Sequence, residues 1–134
     1  MSRICLDTSA YSHFKRAEAE AVAAIESARA VGVPAIVLGE LRAGFRLGAR
    51  AERNESELRS FLEHSVVRVL DVDDEAATHY AELICDLRKA GRPLPTNDVW
   101  IAALALREGA TVLTYDSHFE QLRRVGVLVL AARG

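Results

Sequence analysis

The chain has 134 residues, half of them hydrophobic, enough to close a core without disulfides or a structural metal. Lys and Arg number 17 against 19 Asp and Glu, a formal net charge of −2, so a nucleic acid must be held by a local basic face and not by overall charge. Cys5 and Cys85 lack metal-site or redox spacing, no apolar run reaches membrane-spanning length, and no apolar leader opens the chain. The expectation is a soluble, cytoplasmic protein with buried, reduced thiols and no membrane contact, folded as one domain over residues 1–134.

Residues 4–6 read as a first strand that stops on Asp7, with Thr8 and Ser9 behind it. Ala21, Ile25 and Ala28 then mark one helix face, and Gly32 is its expected stop. After Pro34, residues 35–37 read as a second strand, with Glu40 just beyond it in PAIVLGELRAG. Arg42, Arg46 and Arg50 follow at four-residue spacing. On one helix they form a basic stripe suited to RNA phosphates, or a solvated face paired with Glu52, Glu55 and Glu57. Residues 66–70 read as a third strand.

A helix follows, capped by Asp73 or Asp74, faced by Ala76, Tyr80, Leu83, Ile84 and Leu87, and ended by Gly91 and Pro93. Arg88, Lys89 and Arg92 at its end are sufficiently explained by the helix dipole. NDVWIAALALREG is apolar nearly all round, which predicts a central buried helix with Thr96 as its N-cap and Gly109 as its stop. Residues 111–114 and 127–130 complete the strands. All five are short, apolar and non-alternating, as strands covered on both faces are. Alternating strands and helices predict a parallel sheet whose ligand crevice lies at the carboxyl ends of the strands.

Three acids fall at that edge: Asp7 after the first strand, Glu40 after the second and Asp116 after the fourth, in TVLTYDSHF. Asp98 opens the helix that precedes the fourth strand, and a right-handed crossover brings it to the same edge. Singly, each acid is explained as a cap or a dipole partner. Together they repel: a pair about 4 Å apart costs on the order of 4 kcal/mol at an effective dielectric near 20. A cation among them relieves that repulsion, and an all-oxygen ligand set selects Mg²⁺ or Mn²⁺. Such centres hydrolyse phosphodiesters.

These motifs in this order (strand-Asp-Thr-Ser, GEL, PTNDVWIAALAL and VLTYDSHF) resemble the PIN-domain nucleases. The length and order are similar to the VapC-type toxins of VapBC toxin–antitoxin modules. The resemblance implies a three-layer α/β/α fold with a short, mostly parallel central sheet, and Mg²⁺- or Mn²⁺-dependent cleavage of RNA. It implies Asp7, Glu40, Asp98 and Asp116 as the catalytic, metal-holding acids, with Thr8, Ser9, Thr114 and Asn97 in support. It also implies a homodimer and a cognate VapB-type antitoxin as partner.

Two other readings stay open. One is a phosphatase or receiver-type domain with Asp7 as nucleophile, although Ser9 stands where a phosphatase carries a second acid. The other is a PIN-like interaction module without catalysis. His118, two residues after Asp116, reads as part of a short surface helix, with metal or phosphate binding as the alternative. Trp100 reads as core, with base stacking as the alternative, and Tyr11 and Phe14 as candidates for a contact between copies.

Overall fold

In chain order the elements are β1 (Arg3–Leu6), α1 (Thr8–Lys15), α2 (Ala19–Ser27), β2 (Ala30–Pro34), α3 (Ala35–Leu47), α4 (Ala51–Leu62), β3 (Val67–Leu70), α5 (Asp74–Ala90), α6 (Thr96–Glu108), β4 (Thr111–Thr114), a 3-10 helix (Ser117–Gln121) and β5 (Val127–Val129). The computed structural model describes residues 2–131, so the expected extent of 1–134 runs past them at both ends. The strands form one sheet in the order β3-β2-β1-β4-β5, and every neighbouring pair is parallel. Helices cover both faces, the three-layer α/β/α arrangement expected from the sequence.

A parallel sheet covered twice needs strands that are apolar at consecutive positions. Ile4, Cys5 and Leu6 on the central strand are accordingly all buried, whereas Cys85 on α5, expected to be buried, is exposed. The edge strands are less covered, with Val69 on β3 and Leu128 on β5 exposed. α6 packs on β1, β2 and β4, with Val99 and Ile101 through Ala105 all buried. That is why its sequence is apolar nearly all round. α5 lies against α6 and carries the predicted cap: Asp73 accepts from the Ala76 N–H at 2.9 Å. Gly91 and Gly109 close these two helices in the left-handed conformation, at φ 66° and 62°.

Three local expectations are corrected. Residues 35–37 are not a strand: β2 is Ala30–Pro34, and Ala35 opens α3. The run Ala-Ile-Val-Leu fits either period, but Val37, Leu38 and Leu41 are the buried positions, a helical spacing. Proline has no N–H for the next ladder bond and serves at the N-cap of α3 instead. Gly32 does not end a helix; α2 stops at Ser27, and Gly32 lies inside β2. A Cβ there would stand 2.6 Å from Leu70 Cδ1, so the residue is small because β3 lies close to it. Thr96 is not the N-cap of α6 but its first helical residue. Pro95 precedes it, and its carbonyl accepts from the Asp98 and Val99 N–H groups.

Candidate active site

Because all strands are parallel, all their carboxyl ends share one edge. β1 ends there on Leu6, and Asp7 takes the next position as the N-cap of α1. Its side chain is 5% exposed and accepts three hydrogen bonds: from the Ala10 N–H at 2.9 Å, from the Ser9 hydroxyl at 2.7 Å, and from the Thr114 hydroxyl. Thr114 is the last residue of β4 and fully buried. Its hydroxyl oxygen also accepts from the Asp116 N–H at 2.9 Å, and the Ser9 oxygen accepts from the Tyr115 N–H at 3.0 Å. The ends of β1 and β4 are thus joined through one carboxylate and two hydroxyls.

Glu40 reaches the same edge from the second turn of α3 and not from a strand end. It is exposed, and accepts from the Thr8 hydroxyl at 2.6 Å and from the Asn97 amide at 3.4 Å. Asn97 and Asp98 stand in the first turn of α6. His118 joins Asp98 to Asp116: its Nε2 is 2.8 Å from Asp98 Oδ2 and its Nδ1 is 2.6 Å from Asp116 Oδ1. Asp116 also caps the 3-10 helix, accepting from the His118 N–H at 3.1 Å.

Charge crowding is visible in two carboxyls. Burial pushes Asp7 above its usual range, against the three donors that hold its charge, and Asp98 adds to the rise. Burial also raises Asp98, with Glu40 and Asp116 adding repulsion and His118 opposing it. The acids therefore feel one another across the crevice. The donor set, carboxylates and hydroxyls, is that of a hard divalent cation. Among the described residues no three His, Cys, Asp or Glu side chains are gathered into a ready-made ligand set. Asp7 is engaged by hydroxyls, and Asp98 and Asp116 by His118.

The structure brings together Asp7, Thr8, Ser9, Glu40, Asn97, Asp98, Thr114 and Asp116, and it adds His118, which the sequence presents as a surface residue. The only sequence signal for His118 is its place two residues after Asp116. The basic stripe is not formed. α3 ends at Leu47, and Arg50 lies beyond it as the N-cap of α4. Arg42 is held by Glu55 through Nε and Nη2, while Arg46 remains exposed. Tyr11 is buried with its ring 5.3 Å from that of Phe61, so it does not face a second copy, and Trp100 stacks on Tyr80 at 3.9 Å.

Known proteins share this fold. The family model described as the PIN domain matches residues 4–125. The chain is 36% identical over 123 residues to the plasmid stability protein StbB of Pseudomonas syringae pv. tomato, covering 85% of this chain and 88% of that protein. It is 34% identical over 92 residues to ribonuclease VapC5 of Mycobacterium tuberculosis, covering 69% of this chain and 68% of that one. In the crystal structure of VapBC-5, a VapBC-family toxin–antitoxin member from Mycobacterium tuberculosis, the matching chain has a TM-score of 0.76 and 29% identity, covering 97% of this chain and 100% of that one. The chain belongs to the PIN-domain family.

Proposed function

We propose that this PIN domain is a ribonuclease that hydrolyses RNA phosphodiester bonds with Mg²⁺ or Mn²⁺. In this reading it is the toxin of a type II pair, silenced by a VapB-type antitoxin and working as a homodimer, with residues 1–134 as one domain. The observation that carries the reading is the gathering of Asp7 and Asp98 with Glu40 and Asp116 at one sheet edge, where burial first, and neighbouring carboxylates after it, hold Asp7 and Asp98 above their usual range. A divalent cation relieves that condition. The ribonuclease names of its relatives support the same activity.

Asp7, Asp98 and Asp116 are the residues that would hold the cation, with Glu40 at the rim. When bound, the cation orients the phosphate and offsets the charge that builds on it. Ser9 and Thr114 hold Asp7 in place by donating to it, and His118 keeps Asp98 and Asp116 paired. Glu40, steadied by Thr8 and Asn97 and open to solvent, takes a proton from the attacking water. The oxygen of that water bonds to phosphorus while the bond to the leaving oxygen breaks and that oxygen gains a proton. No covalent enzyme intermediate is needed.

The test is incubation of the purified chain with total RNA and Mg²⁺ or Mn²⁺, alongside EDTA and Asp98→Asn controls. The expected result is a set of discrete fragments that disappears in both controls. Cleavage that persists in Asp98→Asn contradicts the assignment of the site, and intact RNA throughout favours the interaction module.

A further inference from the structure

Part of the positive charge near the helices is answered locally. Lys15 and Arg53 meet Glu57, Arg42 and Arg59 meet Glu55, and Arg107 meets Asp73 and Glu108. Arg88, Lys89 and Arg92, like Arg16, Arg46, Arg50 and Arg123, have no such partner, and they are the three that stand together around one turn. All three are exposed, and among the described residues their side chains make no hydrogen bond or ion pair. The acids on α5 best placed to neutralise them, Glu82 and Asp86, are bound to Arg124, and Lys89 acts on Asp86 only as a more distant charge. No acid occurs from Leu87 through Asn97, so this is a positive segment in a chain of net charge −2.

The helix dipole explains Arg88 and Lys89, which lie in the last turn of α5. It does not explain Arg92, which follows the left-handed Gly91 beyond the helix. There the Arg92 N–H reaches back to the Leu87 carbonyl at 3.0 Å and turns the chain toward α6. Pro93 and Pro95 stiffen the short connection, and Asn97 and Asp98 stand in the helical turn it enters. Even fully extended, the chain from Arg92 to Asp98 spans no more than about 20 Å. Other cations without an ion pair among the described residues lie elsewhere: Arg3 and Arg29 flank the amino ends of β1 and β2, the edge opposite the carboxylates, while Arg16 follows α1, Arg46 stands in the last turn of α3, Arg50 caps α4 and Arg123 precedes β5.

We propose that Arg88, Lys89 and Arg92 form a phosphate-binding lip at the α5–α6 turn, which holds the RNA backbone beside the carboxylate crevice. The proposal rests on the ribonuclease reading above. A crevice of carboxylates repels a polyanion, so affinity for RNA must come from outside it. Guanidinium and ammonium groups recognise phosphate oxygens without reading bases, so the lip positions RNA of any sequence.

Binding is measured in an Asp98→Asn background, with a labelled single-stranded RNA oligonucleotide and with bulk transfer RNA, over a range of salt. Replacing all three residues with Gln weakens both complexes about tenfold or more at low salt. It also lowers the slope of log affinity against log salt by about 2, near 0.7 for each phosphate no longer neutralised. Arg3→Gln with Arg29→Gln leaves that slope unchanged. A variant that keeps all three charges, Arg88→Lys with Arg92→Lys, retains most of the affinity, which separates charge from folding. Equal losses from the two Gln variants, or full affinity in the triple variant, overturn the lip. So does a triple variant that binds RNA normally and fails only with a co-expressed protein partner, which makes the segment a protein contact. A parent that binds no RNA, in a protein that cleaves none, brings down the ribonuclease reading itself. A parent that binds RNA, in a protein that cleaves it, confines any failure to the lip.

Discussion

Asp7 is surrounded by donors. The Ser9 and Thr114 hydroxyls each spend their one proton on it, because their oxygens already accept from the Tyr115 and Asp116 N–H groups. Only an acceptor on both oxygens satisfies that arrangement. Asp7→Asn turns an amide N–H₂ toward a donor, and we expect it to lower stability by about 1–3 kcal/mol despite removing a crowded charge. Urea unfolding in EDTA checks this, and a variant as stable as the parent contradicts it. An apolar run ending on Asp is enough to single out Asp7 from sequence. His118 is not legible in the same way. Its Nε2 bonds to Asp98, twenty residues earlier in the chain, and that contact exists only once α6 and the end of β4 are side by side.

At the scale of elements, the legible parts are those whose period or termini are unambiguous. α6 announces itself by unbroken apolar character, and β4 reads with its observed bounds, Thr111–Thr114. β2 and α3 are misread because an apolar run after Pro34 fits a buried strand as well as a buried helix. The shift matters little for the site, since α3 begins at the same sheet edge and still delivers Glu40. Gly32 is misread for a related reason: a glycine that makes room for a neighbouring strand looks like a helix stop when the neighbour is unknown. Gly32→Ala puts a methyl 2.6 Å from a Leu70 side chain that is only 2% exposed. The expected loss is about 1–3 kcal/mol in thermal or urea unfolding. An unchanged midpoint means that β3 yields without cost.

Over the whole molecule, charge is sorted by sheet edge and helix face in a way that net charge conceals. The arginine spacing on α3 suggests a stripe, but Glu55 and Glu57 on α4 take up Arg42, Arg53 and Arg59. Sequence shows the spacing of charges and not their partners. The acids at the carboxyl edge are the opposite case, with like charges held together. Asp7 and Asp98 both lie above the ordinary aspartate value of 3.8, so their ionised forms are disfavoured by the fold. Their contribution therefore turns unfavourable as pH rises above 3.8, and the penalty grows until the raised values are passed. Glu55, Glu57, Asp73 and Asp86 are shifted downward and add stability that is lost as pH falls, but that trend is shared by any variant of the crevice.

The most direct test of the crevice as a charged, cation-holding centre is the melting temperature of the parent and of Asp98→Asn, in EDTA and across a Mn²⁺ titration. In EDTA we expect Asp98→Asn to melt higher at neutral pH, with the advantage vanishing as pH falls below the ordinary carboxyl value. Added Mn²⁺ then raises the parent, by about 2.7 kcal/mol at a hundredfold excess over its dissociation constant, and leaves the variant nearly still. A parent that does not respond to the metal, or a variant that responds as strongly, contradicts the assignment of Asp98 to a metal centre at this edge.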